Sequence, residues 1–131
     1  MCYSVLLFDI LSEIIKHDDV LIIIRNDAAV SEIRSNSLSI RQKEKWITIG
    51  ENEGPAHMHI DSEMIKSCEF VTEEKPDKTS FSVRFFDEKG NRLLAAFFTK
   101  MYDKDNNLDL SRKQIYDSLK QRFGSKIKFK K

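Results

Sequence analysis

The apolar positions in the first half of the chain predict one helix followed by several strands. Between residues 3 and 15 they recur at intervals of three and four, which indicates an amphipathic helix that ends near His17. The next run, VLIIIR at residues 20–25, is β-branched and typical of a buried strand. The stretches AVSEIR, SLSIRQ and WITIG then alternate polar with apolar positions, as antiparallel strands with one wet face do.

The second half of the chain continues with strands. DSEMIK suits a single helical turn that Asp61 or Ser62 can cap, and CEFVTEE and SFSVRFF are strands joined across KPDKT. DEKGNR then links SFSVRFF to the apolar stretch LLAAFFTKMY. The loop contains Gly90, which can supply the positive φ that a tight hairpin needs.

A second helical stripe follows the strands, formed by Ile115, Leu119 and Phe123. We expect this helix to begin at a capping box of Ser111 and Gln114 and to end at Gly124. The predicted order is thus a helix, about seven or eight strands, and a helix. It predicts an α+β fold, a large antiparallel sheet with an N-terminal and a C-terminal helix, in a single domain over residues 1–131.

Composition excludes several classes of protein. With 22 Lys+Arg against 21 Asp+Glu, the net charge of +1 offers no global field for nucleic acid or an anionic membrane. No apolar run approaches the ~18 residues of a membrane span, and Cys2 and Cys68 belong to no C-x-x-C pair. We therefore expect a reduced, soluble protein of the cytoplasm. The lysine-rich tail SKIKFKK is expected to be a solvated charge run.

The stretch GPAHMHID carries the most specific candidate chemistry. On a strand, His57 and His59 share one face, whereas Ala56, Met58 and Ile60 take the other and turn to the core. Two imidazoles at this spacing stand about 7 Å apart at their bases, close enough to serve one metal. This sequence has too few donor side chains for a complete metal site built from protein ligands alone. Two interpretations remain open: a ligand pair, or two surface histidines.

Other candidate residues are less specific. Arg84 shares a strand face with Ser82 and Phe86, and if it lies on the same side of the sheet as the histidines it can pair with a carboxylate of a ligand. The competing interpretation is a surface salt bridge. We expect Trp46 to lie in the core or an interface. No nucleophile–histidine spacing, phosphate loop or kinase signature is present, so hydrolase and transferase functions have no support.

Two longer stretches resemble the bacterial haem-utilisation proteins of the ChuX/HutX and HemS/ChuS group. From GPAHMHID onward, the H-x-H strand, the following I-x-x-x-x-F-V strand, the FFD-x-x-G hairpin, the apolar strand and the closing helix occur in the family's order. Upstream, LIIIRNDAAVSEIR is similar to the TRN-x-x-x-V-x-E stretch of the larger members. Together they cover roughly residues 20–120.

The resemblance implies a haem-utilisation-like fold with a cleft on its sheet, and a homodimer that imitates the double form of larger members. It implies a haem-binding or haem-trafficking protein that exchanges haem with a donor or acceptor protein. One of His57 and His59 would be the axial ligand of the haem iron, with Arg84 as propionate partner. The alternative is a non-enzymatic interaction module that shares the fold without haem. The one enzymatic activity that the resemblance implies is oxidative haem cleavage, but we expect a protein that is not an enzyme.

Overall fold

The computed structural model describes residues 6–129 of the chain. Along these residues the elements are α1 (Leu7–Ile15), β1 (Val20–Arg25), β2 (Val30–Arg34), β3 (Ile40–Lys43), β4 (Trp46–Gly50), β5 (His57–Asp61), β6 (Ser67–Glu74), β7 (Thr79–Phe86), β8 (Arg92–Phe98), α2 (Leu110–Phe123) and β9 (Lys126–Lys128). The predicted α+β class is confirmed, with one helix before and one after the run β1–β8.

The strands form two antiparallel sheets. The large sheet has the order β2-β1-β8-β7-β6-β9, and the small sheet has the order β3-β4-β5. The predicted large antiparallel sheet is therefore present, but the strand that carries the two histidines belongs to the small sheet. This separation decides which candidate residues can act together.

One contiguous core joins both sheets and both helices. The stripe of α1 is buried as its spacing predicts, at Leu7, Ile10, Leu11, Ile14 and Ile15, although the predicted start at residue 3 lies outside the described residues. Each sheet turns one face inward: Ile22 and Phe85 of the large sheet and Ile47 and Ile49 of the small sheet are buried. The opposite faces of both sheets are left for solvent or partners.

Tyr116 of α2 fixes that helix on the large sheet. Its ring meets those of Phe70, Phe81 and Phe98 edge to face, with centroids 5.3–5.5 Å apart. Its hydroxyl donates a hydrogen bond of 2.7 Å to the carbonyl oxygen of Ser82. The buried ring is therefore satisfied at its polar end.

The helix α2 ends where the sequence predicts but begins differently. Gly124 closes it with φ of +102°, as expected. The N-cap is Asp109, whose carboxylate accepts from the backbone N–H of Ser111 and Arg112. The expected cap at Ser111 was wrong because Asp109 stands two residues earlier and is an equally good acceptor.

The lysine-rich tail is also more than a solvated run. Residues Lys126–Lys128 form β9 on the edge of the large sheet beside β6, with Ile127 buried against the core and paired with Cys68. The two lysines point outward. Within residues 6–129, no helix is long and apolar enough to cross a membrane.

Candidate functional site

The histidine strand β5 is positioned by a close approach of two backbones. Gly50 ends β4 with φ of +83° and pairs with His57 across the small sheet. A Cβ atom at Gly50 would come within 2.2 Å of the carbonyl oxygen of Ala56. The residue must therefore be glycine for the chain to return into β5 in this register.

The outer face of the small sheet carries the two histidines. Ile60 is buried and Met58 half-buried against the core, while His57 and His59 are exposed on the other side, so the predicted alternation is confirmed. Their ring centroids are 5.4 Å apart, with an angle of 66° between the planes. The strand thus brings two imidazoles side by side on an open surface.

Thr48 distinguishes the two histidines. It lies directly across from His59 in the register of β4 and β5, and its Oγ1 is 2.9 Å from Nδ1 of that imidazole. Thr48 is buried, so the hydrogen bond is partly buried although His59 itself is exposed. His57 faces Gly50, which has no side chain to hold its ring. His59 is therefore the oriented imidazole of the pair, with Nε2 left free.

Besides Asp61, which stands two residues after His59 on β5, three more residues share this outer face, and the sequence did not assign them to it. Across β4 and β3 lie Trp46, Arg41 and Lys43, by the register Thr48–Arg41 and Trp46–Lys43. Trp46 is 43 % exposed and lies under the ammonium of Lys45, so the expectation of a core position was wrong.

The side chain of Arg41 is held in place by two neighbours. Its guanidinium donates to the carbonyl oxygen of Gly50 at 3.0 Å and forms a salt bridge with Glu51 at 3.2 Å. The outer face of the small sheet therefore combines imidazoles, cations and an exposed indole. Alternation of WITIG around the buried Ile47 and Ile49 could have revealed that Trp46 points outward.

Arg84 is not part of this face. It lies on β7 of the large sheet, where its guanidinium donates to the hydroxyl of Ser82 at 3.1 Å and contacts Glu73 at 3.7 Å. It also lies over the ring of Phe97, 5.9 Å from the centroid. The expectation that it stands on the same side of one sheet as His57 and His59 was wrong, because those strands belong to different sheets.

Three cavities accompany these faces, and none is lined by either strand histidine. The largest, about 670 Å³, lies between the start of α1 and the turn after β5, with Leu6, Phe8, Met64, Ile65 and Phe129 in its wall. One of about 400 Å³ lies between α1 and α2. The smallest, about 240 Å³, lies at the end of β1 beside Arg25 and Arg92. The imidazoles therefore face an open surface rather than one of these cavities.

The described side chains alone offer no complete set of metal ligands. Within residues 6–129, no group of three or more His, Cys, Asp or Glu side chains converges as a metal would require. The two strand imidazoles offer at most a partial coordination shell. A metal that brings most of its own ligands fits this donor set better than a bare ion.

The fold has solved counterparts among haem proteins. ChuX, described as a haem-binding protein, superposes with a TM-score of 0.74 at 16 % identity, over 88 % of this chain and 71 % of that chain. PhuS of Pseudomonas aeruginosa, also described as haem-binding, gives a TM-score of 0.67 at 12 % identity over 88 % of this chain and 34 % of its own. ChuS, described as a haem oxygenase of E. coli, gives 0.67 at 14 % identity over 90 % and 36 %.

The chain thus spans about a third of PhuS and of ChuS. No curated protein matches it by sequence. A family model matches residues 8–124, which is most of the chain and includes both sheets and both helices almost completely. By this match and the shared fold, the chain belongs to the haem-utilisation family of ChuX-like and ChuS-like proteins.

Proposed function

We propose that this protein binds haem and carries it, with His59 or His57 as the axial ligand of the iron on the outer face of the small sheet. Membership in a family whose solved members include proteins described as haem-binding supports the ligand class. The observation that carries the proposal is the hydrogen bond of 2.9 Å between Thr48 and Nδ1 of His59. A ring held at one nitrogen presents the other in a fixed direction.

The donor chemistry of the face fits haem. For Nε2 of His59 to offer its lone pair, the proton must reside on Nδ1, where it donates to Oγ1 of Thr48. The exposed indole of Trp46 offers an apolar surface for a planar ring. When bound, haem supplies a redox-active iron whose ligands the protein selects.

The carboxylates of haem need cations, and the outer face of the small sheet has them. Lys43 and Arg41 lie on β3, on the opposite side of β4 from the histidines. Strands are about 4.8 Å apart, so a ligand that spans this sheet would reach across roughly 10 Å. We assign the propionate contacts within one chain to these two residues, since Arg84 is on the other sheet.

Hemin titration of the purified protein is the deciding experiment. We expect a Soret band that saturates near one haem per chain and is lost in the variant His57→Gln/His59→Gln. His17→Gln removes the third histidine, which follows α1 and lies off this face, and should leave the band unchanged. Absence of a saturable band would overturn the proposal. A band that survives the double substitution would place the ligand elsewhere.

The single variants separate the two imidazoles. Because His59 is oriented by Thr48 and His57 is not, His59→Gln should weaken haem binding more than His57→Gln. Equal losses would mean that the two rings serve the iron interchangeably. A larger loss from His57→Gln would assign the ligand to the ring beside Gly50.

A second function is favoured by one observation. Both imidazoles are exposed, and none of the three cavities is lined by them, which suits a non-enzymatic interaction module that keeps the fold without haem. Hemin titration distinguishes the two, because the module gives no saturable Soret band.

The proposed assembly is a cytoplasmic homodimer that exchanges haem with a donor or acceptor protein, as the likeness to single-unit family members implies. Sedimentation velocity at micromolar concentration tests the dimer. A single species of the mass of one chain would contradict it.

A further inference from the structure

The open face of the large sheet carries three arginines on adjacent strands. Arg25 ends β1, Arg84 lies in β7, and Arg92 begins β8 between them. The register joins these strands closely: Ala95 of β8 pairs with Ile23 on one side and with Arg84 on the other, and Arg92 pairs with Phe86. Three positive charges from distant parts of the sequence therefore meet on one patch.

Carboxylates also lie on this face, since Glu69 pairs with Arg84 across β6 and β7 and Glu32 pairs with Ile23 across β1 and β2. Arg84 contacts Glu73 at 3.7 Å. Neither Arg25 nor Arg92 forms a salt bridge with any carboxylate between positions 6 and 129, or donates a side-chain hydrogen bond there. Asp27 is nearby in the β1–β2 turn but pairs with neither. The patch therefore keeps two guanidiniums with free donors beside these carboxylates.

The three arginines repel one another. The pKa of Arg92 is lowered from its ordinary value, first by partial burial of its guanidinium and then by the charges of Arg84 and Arg25, while Glu73 raises it. Such mutual repulsion is relieved when an anion binds between the cations.

A cavity lies at the same place. It has a volume of about 240 Å³ and is lined by Arg25, Arg92, Asn26 and Asp27, over an apolar floor of Ile23, Leu93 and Leu94. Its size suits a small molecule, since it lies just below the 300–1,000 Å³ usual for drug-sized ligands. A guanidinium offers paired N–H donors that match two oxygens of a carboxylate or a phosphate.

We propose that this cavity is a binding site for a small oxyanion, a carboxylate or a phosphate, held between the guanidiniums of Arg25 and Arg92. Arg84 lies behind them on β7 and adds positive potential without contact, because Ser82 and Glu73 already hold its side chain. The site is separate from the outer face of the small sheet, and it stands whether or not haem binds there.

Nuclear magnetic resonance of the arginine Nε–Hε groups tests the site directly. The full chain is titrated with sodium phosphate, with sodium succinate and with sodium chloride at matched ionic strength. We expect saturable shifts of Arg25 and Arg92 with phosphate, succinate or both, and the arm that saturates identifies the anion. The same shifts in chloride, or no saturation in either oxyanion, would overturn the proposal.

Variants complete the test. Arg25→Gln and Arg92→Gln should each weaken binding at least tenfold, and Arg84→Gln only two- to threefold. Lys104→Gln, on the exposed loop before α2, removes the same charge elsewhere and should leave the affinity unchanged. Backbone spectra confirm that each variant is folded. Equal weakening by Lys104→Gln would mean a general effect of net charge, and would contradict a defined site.

Hemin titration of Arg92→Gln separates this proposal from the haem proposal. A normal Soret band together with lost oxyanion binding assigns two independent sites. Lost haem binding in the same variant would mean that the arginines serve haem, and would overturn the separate site.

Discussion

Gly50 shows how much one residue can decide about the candidate site. It stands at the close approach of β4 to Ala56, with φ of +83°. Gly90 has nearly the same φ, +82°, but nothing lies within 4 Å of a Cβ built there. The two glycines therefore separate the cost of the backbone conformation from the cost of a clash.

We predict that Gly50→Ala destabilises the fold far more than Gly90→Ala. Gly90→Ala should lose about 1–2 kcal/mol of the free energy of unfolding, the cost of a left-handed L-residue, whereas Gly50→Ala should lose about 3–5 kcal/mol because backbone must move. Urea denaturation followed by circular dichroism measures both. Equal losses would mean that the 2.2 Å approach relaxes at little cost.

Cys68 is a buried thiol on β6, covered by Ile127 of β9. Burial raises the pKa of its thiol to about 12. In the folded protein the thiol stays neutral, whereas in the unfolded chain it ionises near pH 8.5. The free energy of unfolding therefore falls as the pH rises between those two pKa values. Below pH 8.5 the full contribution of this thiol to the free energy of unfolding is present.

We predict that the protein becomes less stable between pH 8.5 and 11, with a slope of at most about 1.4 kcal/mol per pH unit from this group. Burial likewise raises the pKa of the Tyr116 phenol, which adds to the loss at the upper end of the range. Cys68→Ala should flatten the curve from pH 8.5 upward, as measured by urea denaturation at successive pH values. An unchanged slope would exclude the thiol as its cause.

At the scale of residues, sequence predicted which side chains share a face and missed which neighbours they meet. Alternation alone placed His57 and His59 together. That Thr48 lies across from His59 depends on the pairing register, which the backbone approach at Gly50 sets. No local pattern encodes a register between two strands, so the oriented imidazole could not be identified.

At the scale of elements, the two helices and most strands follow from periodicity, and the errors lie at element ends. The N-cap of α2 is the first case. Ser111 and Asp109 are both good caps, two residues apart, and the carboxylate of Asp109 accepts from the backbone N–H of Ser111 and Arg112. The hydroxyl of Ser111 donates to the same carboxylate, and these bonds lower the pKa of Asp109.

We predict that Asp109→Ala lowers stability at pH 7 more than Ser111→Ala does. The carboxylate stabilises the fold only when ionised, so the difference between wild type and Asp109→Ala should persist above pH 4 and vanish as the pH falls through the lowered pKa. Thermal unfolding at pH 2 to 7 measures this difference. A greater loss from Ser111→Ala would restore the serine as the cap.

The strand β9 is the second case. Its sequence KIK has a single apolar residue between lysines, too short a pattern to be told from a solvated charge run. Pairing with β6 is a tertiary event, and only the burial of Ile127 reveals it. Edge strands with one wet face and many lysines are difficult to recognise for this reason.

We predict that Ile127→Ala costs about 2–4 kcal/mol of the free energy of unfolding, since it removes a buried side chain from the core. Lys128→Ala, on the same strand but exposed, should stay within about 0.5 kcal/mol of wild type. Guanidinium denaturation compares the two. A neutral Ile127→Ala would mean that β9 contributes nothing to the fold.

At the scale of the whole molecule, the α+β class followed from the order of elements and the family from the resemblance of two sequence stretches, whereas the division into two sheets followed from neither. Strand order within a sheet depends on contacts between distant segments, such as the pairing of β1 with β8. Placing Arg84 beside the histidines assumed one sheet, and that assumption failed.

We propose that these elements form one domain, and the contiguous core supports it. We predict one cooperative unfolding transition. Trp46 is the only tryptophan and reports on the small sheet, while far-ultraviolet circular dichroism reports on the whole fold. The two signals should give the same midpoint in urea. An earlier tryptophan midpoint would mark the small sheet as a separate unit.

The position of β5 has a consequence for the design of ligand variants. It is an edge strand of the small sheet, so one row of its backbone N–H and C=O groups has no partner strand within residues 6–129. Polar side chains on such an edge discourage pairing with another molecule. A variant His57→Val/His59→Val would turn HMHI into an uninterrupted apolar run and invite self-association. We therefore expect the polar imidazoles to discourage pairing of this edge with another strand, whether or not they bind a ligand.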